Sequence, residues 1–167
     1  EEVDYTLRPV SIANVIVGQA MRRFYDKKLD VTAFSVNQDW VAKEKKTHKA
    51  EFAAGRTEAP FISTNDIVTS WFFKLVNPVM AFMAINFRNR VEDCLESDAG
   101  NYESLIPYRQ ADFQSPALIR KSLRTARRAS ADPPTPLPGF FEAFRARNGL
   151  ITNWSTFYGD VEFKDCK

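Results

Sequence analysis

The chain of 167 residues contains a single histidine, His48. Its surroundings, "KKTHKAEF", hold no nucleophile or orienting acid at a catalytic spacing. No triad and no histidine metal site is therefore expected, and His48 reads as a solvated residue of a charged helix. Two cysteines, Cys94 and Cys166, are too few for a disulfide framework or a zinc site. They point to a reducing compartment, intracellular or organellar, without naming which. No apolar run approaches the roughly 20 residues of a membrane-spanning helix, and no signal peptide is present. A net charge of +2 is too small to argue for nucleic acid, so no nucleic-acid partner is expected. There is no glycine-rich phosphate loop and no internal repeat. The Glu-Glu start and the Asp-Cys-Lys end read as cut or processed termini.

What is present is ordinary globular composition, 44% hydrophobic and 26% charged, with a heavy aromatic load of 14 Phe and 3 Trp. That is enough for one domain with a real core. Residues 10–28 read as a helix with Ile12, Val15, Ile16, Gln19, Ala20 and Phe24 near one face. Residues 29–36, "LDVTAFSV", alternate as a strand does. Asn37 can cap a charged helix carrying Trp40, Val41 and Phe52. A loop, 55–60, leads to "FISTNDIVTSWFFKLV". There Ser63 or Thr64 caps the first turn and Asp66 sits where a capping-box acid belongs. Ile67, Val68, Trp71, Phe72, Leu75 and Val76 form the expected apolar stripe, and Asn77-Pro78 stops the helix.

Residues 79–87, "VMAFMAINF", are apolar without alternation, as in a strand covered on both faces. The acidic stretch with Glu92, Asp93, Glu96 and Asp98 lacks a calcium-loop signature and reads as solvated. "NYESLIP" is a short extended piece. Ser115-Pro116 opens another helix, expected to run to about Ser130. The proline-rich segment 132–139, "DPPTPLPG", is an extended linker. "FFEAFRARNG" reads as a short helix stopped by Asn148-Gly149. "LITNWSTFYGDVEF" reads as a closing strand pair or bent strand. Helices between strands make the expected fold α/β, a mixed sheet flanked by helices, in one domain over 1–167.

The helix "SPALIRKSLRTARRAS" carries Arg120, Lys121, Arg124, Arg127 and Arg128 with no acid among them. The plain reading is a solvated basic face. The functional one is an anion site, with Arg120, Lys121 and Arg124 toward a cofactor phosphate or an acidic partner.

Taken in order, several stretches resemble the second half of coenzyme A-dependent acyltransferases of the BAHD and chloramphenicol-acetyltransferase type. They are "VTAFSVNQDWVAKEK", then "STNDIVTSWFF", then "MAINFRNRV", then Gly100-Asn101, and finally "ITNWSTFYGDVEF". The resemblance covers the chain from about Leu29 onward. It departs from the family in two places. The family's His-x-x-x-Asp motif has no counterpart, since "HKAEF" has Phe52 where the acid should be. "VEFKDC" stands in place of the terminal Asp-Phe-Gly-Trp-Gly motif.

The resemblance implies one half of a two-domain acyltransferase fold. In an active parent, a histidine from a first half would act as general base, with an acyl-coenzyme A thioester as donor. Thr152 would donate to the oxyanion, Trp154 and Asn101 would line the substrate channel, and the basic helix would stand near the coenzyme phosphates. By itself the chain needs no cofactor. The expected function is a non-catalytic structural or linker subunit of a larger assembly. The alternative is the C-terminal half of an active O- or N-acyltransferase. Either way an apolar face should require cover by a missing half, another protein or a membrane-bound complex.

Overall fold

A computed structural model of the chain describes residues 31–90, 94–95, 97, 102–139 and 147–153. The expected helix over 10–28 and most of the acidic stretch lie outside the described residues, as does most of the closing segment. Helix α1, Gln38–Ala53, opens at Asn37, whose Oδ1 accepts from the backbone N–H of Asp39 (2.8 Å) and Trp40 (3.1 Å). It closes with paired backbone bonds: Gly55 N–H reaches the Phe52 carbonyl at 3.0 Å and Arg56 N–H reaches that of Glu51 at 2.9 Å. Gly55 has φ +67°, the left-handed conformation this closure requires.

Helix α2, Thr64–Val76, has the full capping box. Asp66 N–H donates to Ser63 Oγ (3.3 Å), and Ser63 N–H donates to Asp66 Oδ2 (2.6 Å). Asn77 ends it in the left-handed region, before the buried Pro78. Helix α3, Pro116–Thr125, begins on Ser115 with proline in its first turn.

The sheet has strand order β2-β1-β3, with β1 Met80–Asn86, β2 Glu103–Tyr108 and β3 Asn148–Ile151. Strand β1 runs antiparallel to β2 (Met83 opposite Ile106) and parallel to β3 (Phe82 opposite Leu150). The sheet is thus mixed, with the apolar strand at its centre, covered on both faces as its unbroken hydrophobicity implies. Ala81, Met83 and Ile85 face α2 and α3, packing with Phe73, Tyr108, Phe113 and Ile119. Met80 and Phe82 face the other way, against Leu105 and Leu137. Leu137 belongs to the proline-rich segment. That segment has no regular structure, as expected of an extended linker, yet it also closes the back of the sheet.

Four expectations are corrected. Residues 31–36 form no strand; Val31 and Phe34 are exposed, and Val36 packs against Val41, Ile62 and Ile67 between α1 and α2. Of the alternating residues, Thr32 is exposed, Phe34 meets the Trp71 ring edge-on at 6.3 Å, and Val36 reaches the helix contact. On α2 the buried face is Asp66, Ile67, Thr69, Ser70 and Phe73, while Trp71 and Leu75 are 37% and 62% exposed. The helix is turned because Ser70 Oγ donates to the Phe113 carbonyl (2.7 Å) and Phe73 stacks on Phe113.

The third correction is the length of α3, which ends at Thr125. Ala126 turns left-handed (φ 52°), so the following residues can reach buried Asp112. The fourth is Asn148-Gly149, which opens β3 and so belongs to a strand, while the short helix expected before it lies outside the described residues. A side chain on Gly149 would meet Pro78 Cγ at 3.2 Å and the Phe73 ring at 3.5 Å, so a larger residue there would need Pro78 to give by a few tenths of an ångström.

Tyr108 lies at the centre of this core. Burial pushes its phenol well above the ordinary tyrosine range, against an opposing effect of the Ser122 side chain. Ser122 Oγ donates to the Leu118 carbonyl and accepts from the Ala129 N–H, and the phenol oxygen has no partner among the described residues. A raised folded-state value means the native state holds its proton while an unfolded phenol would lose it. This contribution is complete below about pH 10, the ordinary value, and is lost as pH rises beyond it, at about 1.4 kcal/mol per pH unit. Urea unfolding at a series of alkaline pH values should therefore show a shallower decline for Tyr108→Phe than for the parent chain. Parallel declines would contradict this account.

Candidate functional site

Two cavities flank the C-terminal half of α3. The smaller, about 390 Å³, lies at the end of the sheet that carries Asn86, Glu103 and Thr152. Asn65 enters it from the first turn of α2, and Arg88 and Arg90 enter from the turn after β1. Thr152 is exposed and follows Ile151, the last β3 residue paired with β1. Asn86 Oδ1 accepts from Arg88 N–H (3.0 Å), the Arg88 guanidinium stands over the Tyr102 ring (4.9 Å), and Arg90 Nη1 donates to the Leu123 carbonyl (2.8 Å). These groups can orient a polar or anionic group. Among the described residues, the lining has no imidazole or thiol to carry a proton at neutral pH.

The larger cavity, about 540 Å³, opens between loop 55–61 and α3. Arg56, Arg90, Arg120, Lys121 and Arg124 line it, against the carboxylates of Glu58 and Asp132. The tertiary structure thus brings the three expected anion-site residues to one concavity. Their roles differ. Arg120 donates through Nε (2.7 Å) and Nη2 (2.6 Å) to Asp66 Oδ2, fully buried at the start of α2, and lies over the Phe61 ring at 4.8 Å. It is a structural cation. Lys121 pairs with Glu58 at 2.8 Å, where both are exposed. The Lys121 hydrogen bond and charge, with help from Arg124, hold the Glu58 carboxyl below its usual range. Arg124 and Arg56 are exposed, with no side-chain partner described. Arg128, beyond α3, is held by buried Asp112 through Nε (2.8 Å) and Nη2 (2.7 Å). The basic helix is therefore neither uniformly solvated nor uniformly available. Acids distant in sequence take up two of its arginines.

His48 corrects the sequence reading. It is 6% exposed, and its Nε2 lies 2.8 Å from the Ala59 carbonyl. A carbonyl only accepts, so Nε2 carries the proton and donates. The ring anchors loop 55–61 to α1 and lines neither cavity. Its charged neighbours in sequence point away from that contact, which is why the sequence suggested exposure. Trp154 and Asn101 lie outside the described residues. Among the described residues, no group of His, Cys, Asp and Glu is placed to hold a metal ion, and no helix is long and apolar enough to cross a membrane.

Asp66 and Asp112, which fix the arginines, were not legible as ion-pair partners. Asp66 signalled only its cap, and Asp112 gave no signal. Arg56 and Glu58 fell in a loop with no pattern. Compared with protein-family models, with curated proteins and with solved structures, the chain finds no match.

Proposed function

We propose that this chain is an acyltransferase-like half-domain that presents one wall of a substrate site and does not catalyse acyl transfer by itself. The observation that supports this reading is the convergence of three stretches behind the family resemblance on one cavity. Asn65 comes from "STNDIVTSWFF", Met83, Asn86, Arg88 and Arg90 from "MAINFRNRV", and Thr152 and Asn153 from "ITNW". They are far apart in sequence, so their meeting is a property of the fold.

In this reading the Thr152 hydroxyl is the donor to a developing oxyanion. The general base is a histidine from outside these 167 residues, since His48 is committed to the Ala59 carbonyl. That base would take the proton of an acceptor hydroxyl or amine as its oxygen or nitrogen attacks the thioester carbonyl of an acyl-coenzyme A. The carbon–sulfur bond then breaks, and coenzyme A takes the proton back from the base and leaves as the thiol. Val31, Phe34, Trp71 and Leu75 are exposed among the described residues, in keeping with a partner half or subunit.

The purified chain, incubated with acetyl-coenzyme A and an alcohol or amine acceptor, should release no free thiol above background. Turnover by the chain alone would overturn the non-catalytic reading. In an assembly that includes a histidine-bearing half, Thr152→Ala should lower kcat about 100-fold. Its melting temperature should be unchanged, because the side chain is exposed. An unaltered kcat would remove Thr152 from the site.

A further inference from the structure

The larger cavity is distinct from the one that carries the acyltransferase reading, and its inference rests on its lining alone, although the resemblance also places the basic helix near coenzyme phosphates. We infer that it binds an organic phosphate, a small molecule bearing a phosphate or diphosphate on an apolar or aromatic body, and that Glu58 occupies the phosphate position until the ligand displaces it.

The argument begins with shape and charge. A cavity of about 540 Å³ is in the range of small-molecule sites, which run from about 300 to 1,000 Å³. Its cations outnumber its carboxylates. A concave wall with an excess of one sign concentrates the field where a convex basic face would disperse it into solvent. Pro60, Phe61 and Leu118 add apolar surface to the same lining. Cations beside apolar surface suit a phosphate joined to an organic body.

The individual groups divide into fixed and exchangeable ones. Arg120 is fixed by Asp66 and shapes the floor while holding Phe61 in place. Arg56 is placed at the rim by the left-handed turn at Gly55, and Arg124 by the last turn of α3. Lys121 has one anionic partner, Glu58, whose side chain is 83% exposed. That carboxylate also feels Arg124, so it stands in the shared field of two cations of the cavity. An exposed ion pair is screened and loosely held. A phosphate carries more charge and more acceptor oxygens than a carboxylate, and should take its place.

The test is isothermal titration calorimetry of the full chain at low salt, with ADP, inorganic pyrophosphate and a single-stranded oligonucleotide as probes. Circular dichroism of each variant should confirm an unchanged fold, which the exposure of all three substituted side chains favours. ADP should bind with Kd below about 1 mM, and more tightly than pyrophosphate. Arg124→Gln and Arg56→Gln should each weaken ADP about fivefold, and Glu58→Gln should tighten it about fivefold, the effect of one nearby charge in a solvated site. Failure to bind either ADP or pyrophosphate would overturn the assignment. Equal affinity for the two would overturn the organic body, and an unchanged Kd in Glu58→Gln would overturn the displacement. Binding only to a single-stranded oligonucleotide would overturn the small-molecule site in favour of a nucleic-acid surface.

Discussion

Asp112→Ala should destabilise the domain by about 3–5 kcal/mol in urea unfolding, among the largest effects of any single substitution. Asp112 has no exposed surface. Its Oδ2 accepts from the Arg109 backbone N–H (2.7 Å) and from Arg128 Nε (2.8 Å) and Nη2 (2.7 Å), and its Oδ1 accepts from Ala131 N–H (3.0 Å). One carboxylate therefore joins the end of β2, the chain leaving α3 and the start of the proline-rich segment. Its removal leaves a largely buried guanidinium without a counter-charge and two backbone donors without an acceptor. Adding Arg128→Met should recover a large part of the loss, because an apolar side chain is tolerated where an unpaired charge is not. A double variant no more stable than Asp112→Ala would show that the lost backbone bonds, and not the stranded charge, dominate.

Phe73→Ala should cost a similar amount, about 3–5 kcal/mol. The side chain is completely buried, with ring centroids 5.5 Å from Phe113 and 6.4 Å from Tyr108. The Phe73 ring also meets the strand at Gly149. Its neighbours belong to α2, β2, β3 and the 3-10 turn Asp112–Gln114, so they cannot collapse together into the space. Trp71→Ala, on the exposed side of the same helix, should cost only about 1 kcal/mol, since that ring makes edge contacts with Phe34 and Trp40 at 6.3 and 6.5 Å. The apolar stripe inferred from spacing alone would give the reverse order. Equilibrium unfolding of the two variants decides between the faces.

The proposed site was partly legible in advance. Arg120, Lys121 and Arg124 stood out as a basic run, and the resemblance marked Thr152. Their separation into two cavities, with Arg90 and Leu123 in the shared wall, did not. Nor did the division of labour among the cations. The partner of Arg120 lies 54 positions earlier, at a residue whose local pattern announces only a helix cap. Glu58 is 63 positions from Lys121, in a loop without periodicity.

What the sequence determined by itself was local. Asn37, Ser63 with Asp66, and Ser115 with Pro116 fix three helix starts, because a cap needs one side chain within two or three residues of the backbone groups it satisfies. The unbroken apolar run of β1 marked the central strand, since only a strand covered on both faces has no polar side. The tertiary structure decided what depends on distant partners. It turned α2 to bury Phe73 and Ser70, ended α3 so that Arg128 reaches Asp112, and buried His48 under a loop carbonyl. It also made Gly149 a point of close strand packing. Each of these depends on a contact between residues many positions apart, and such contacts leave no periodic trace along the chain.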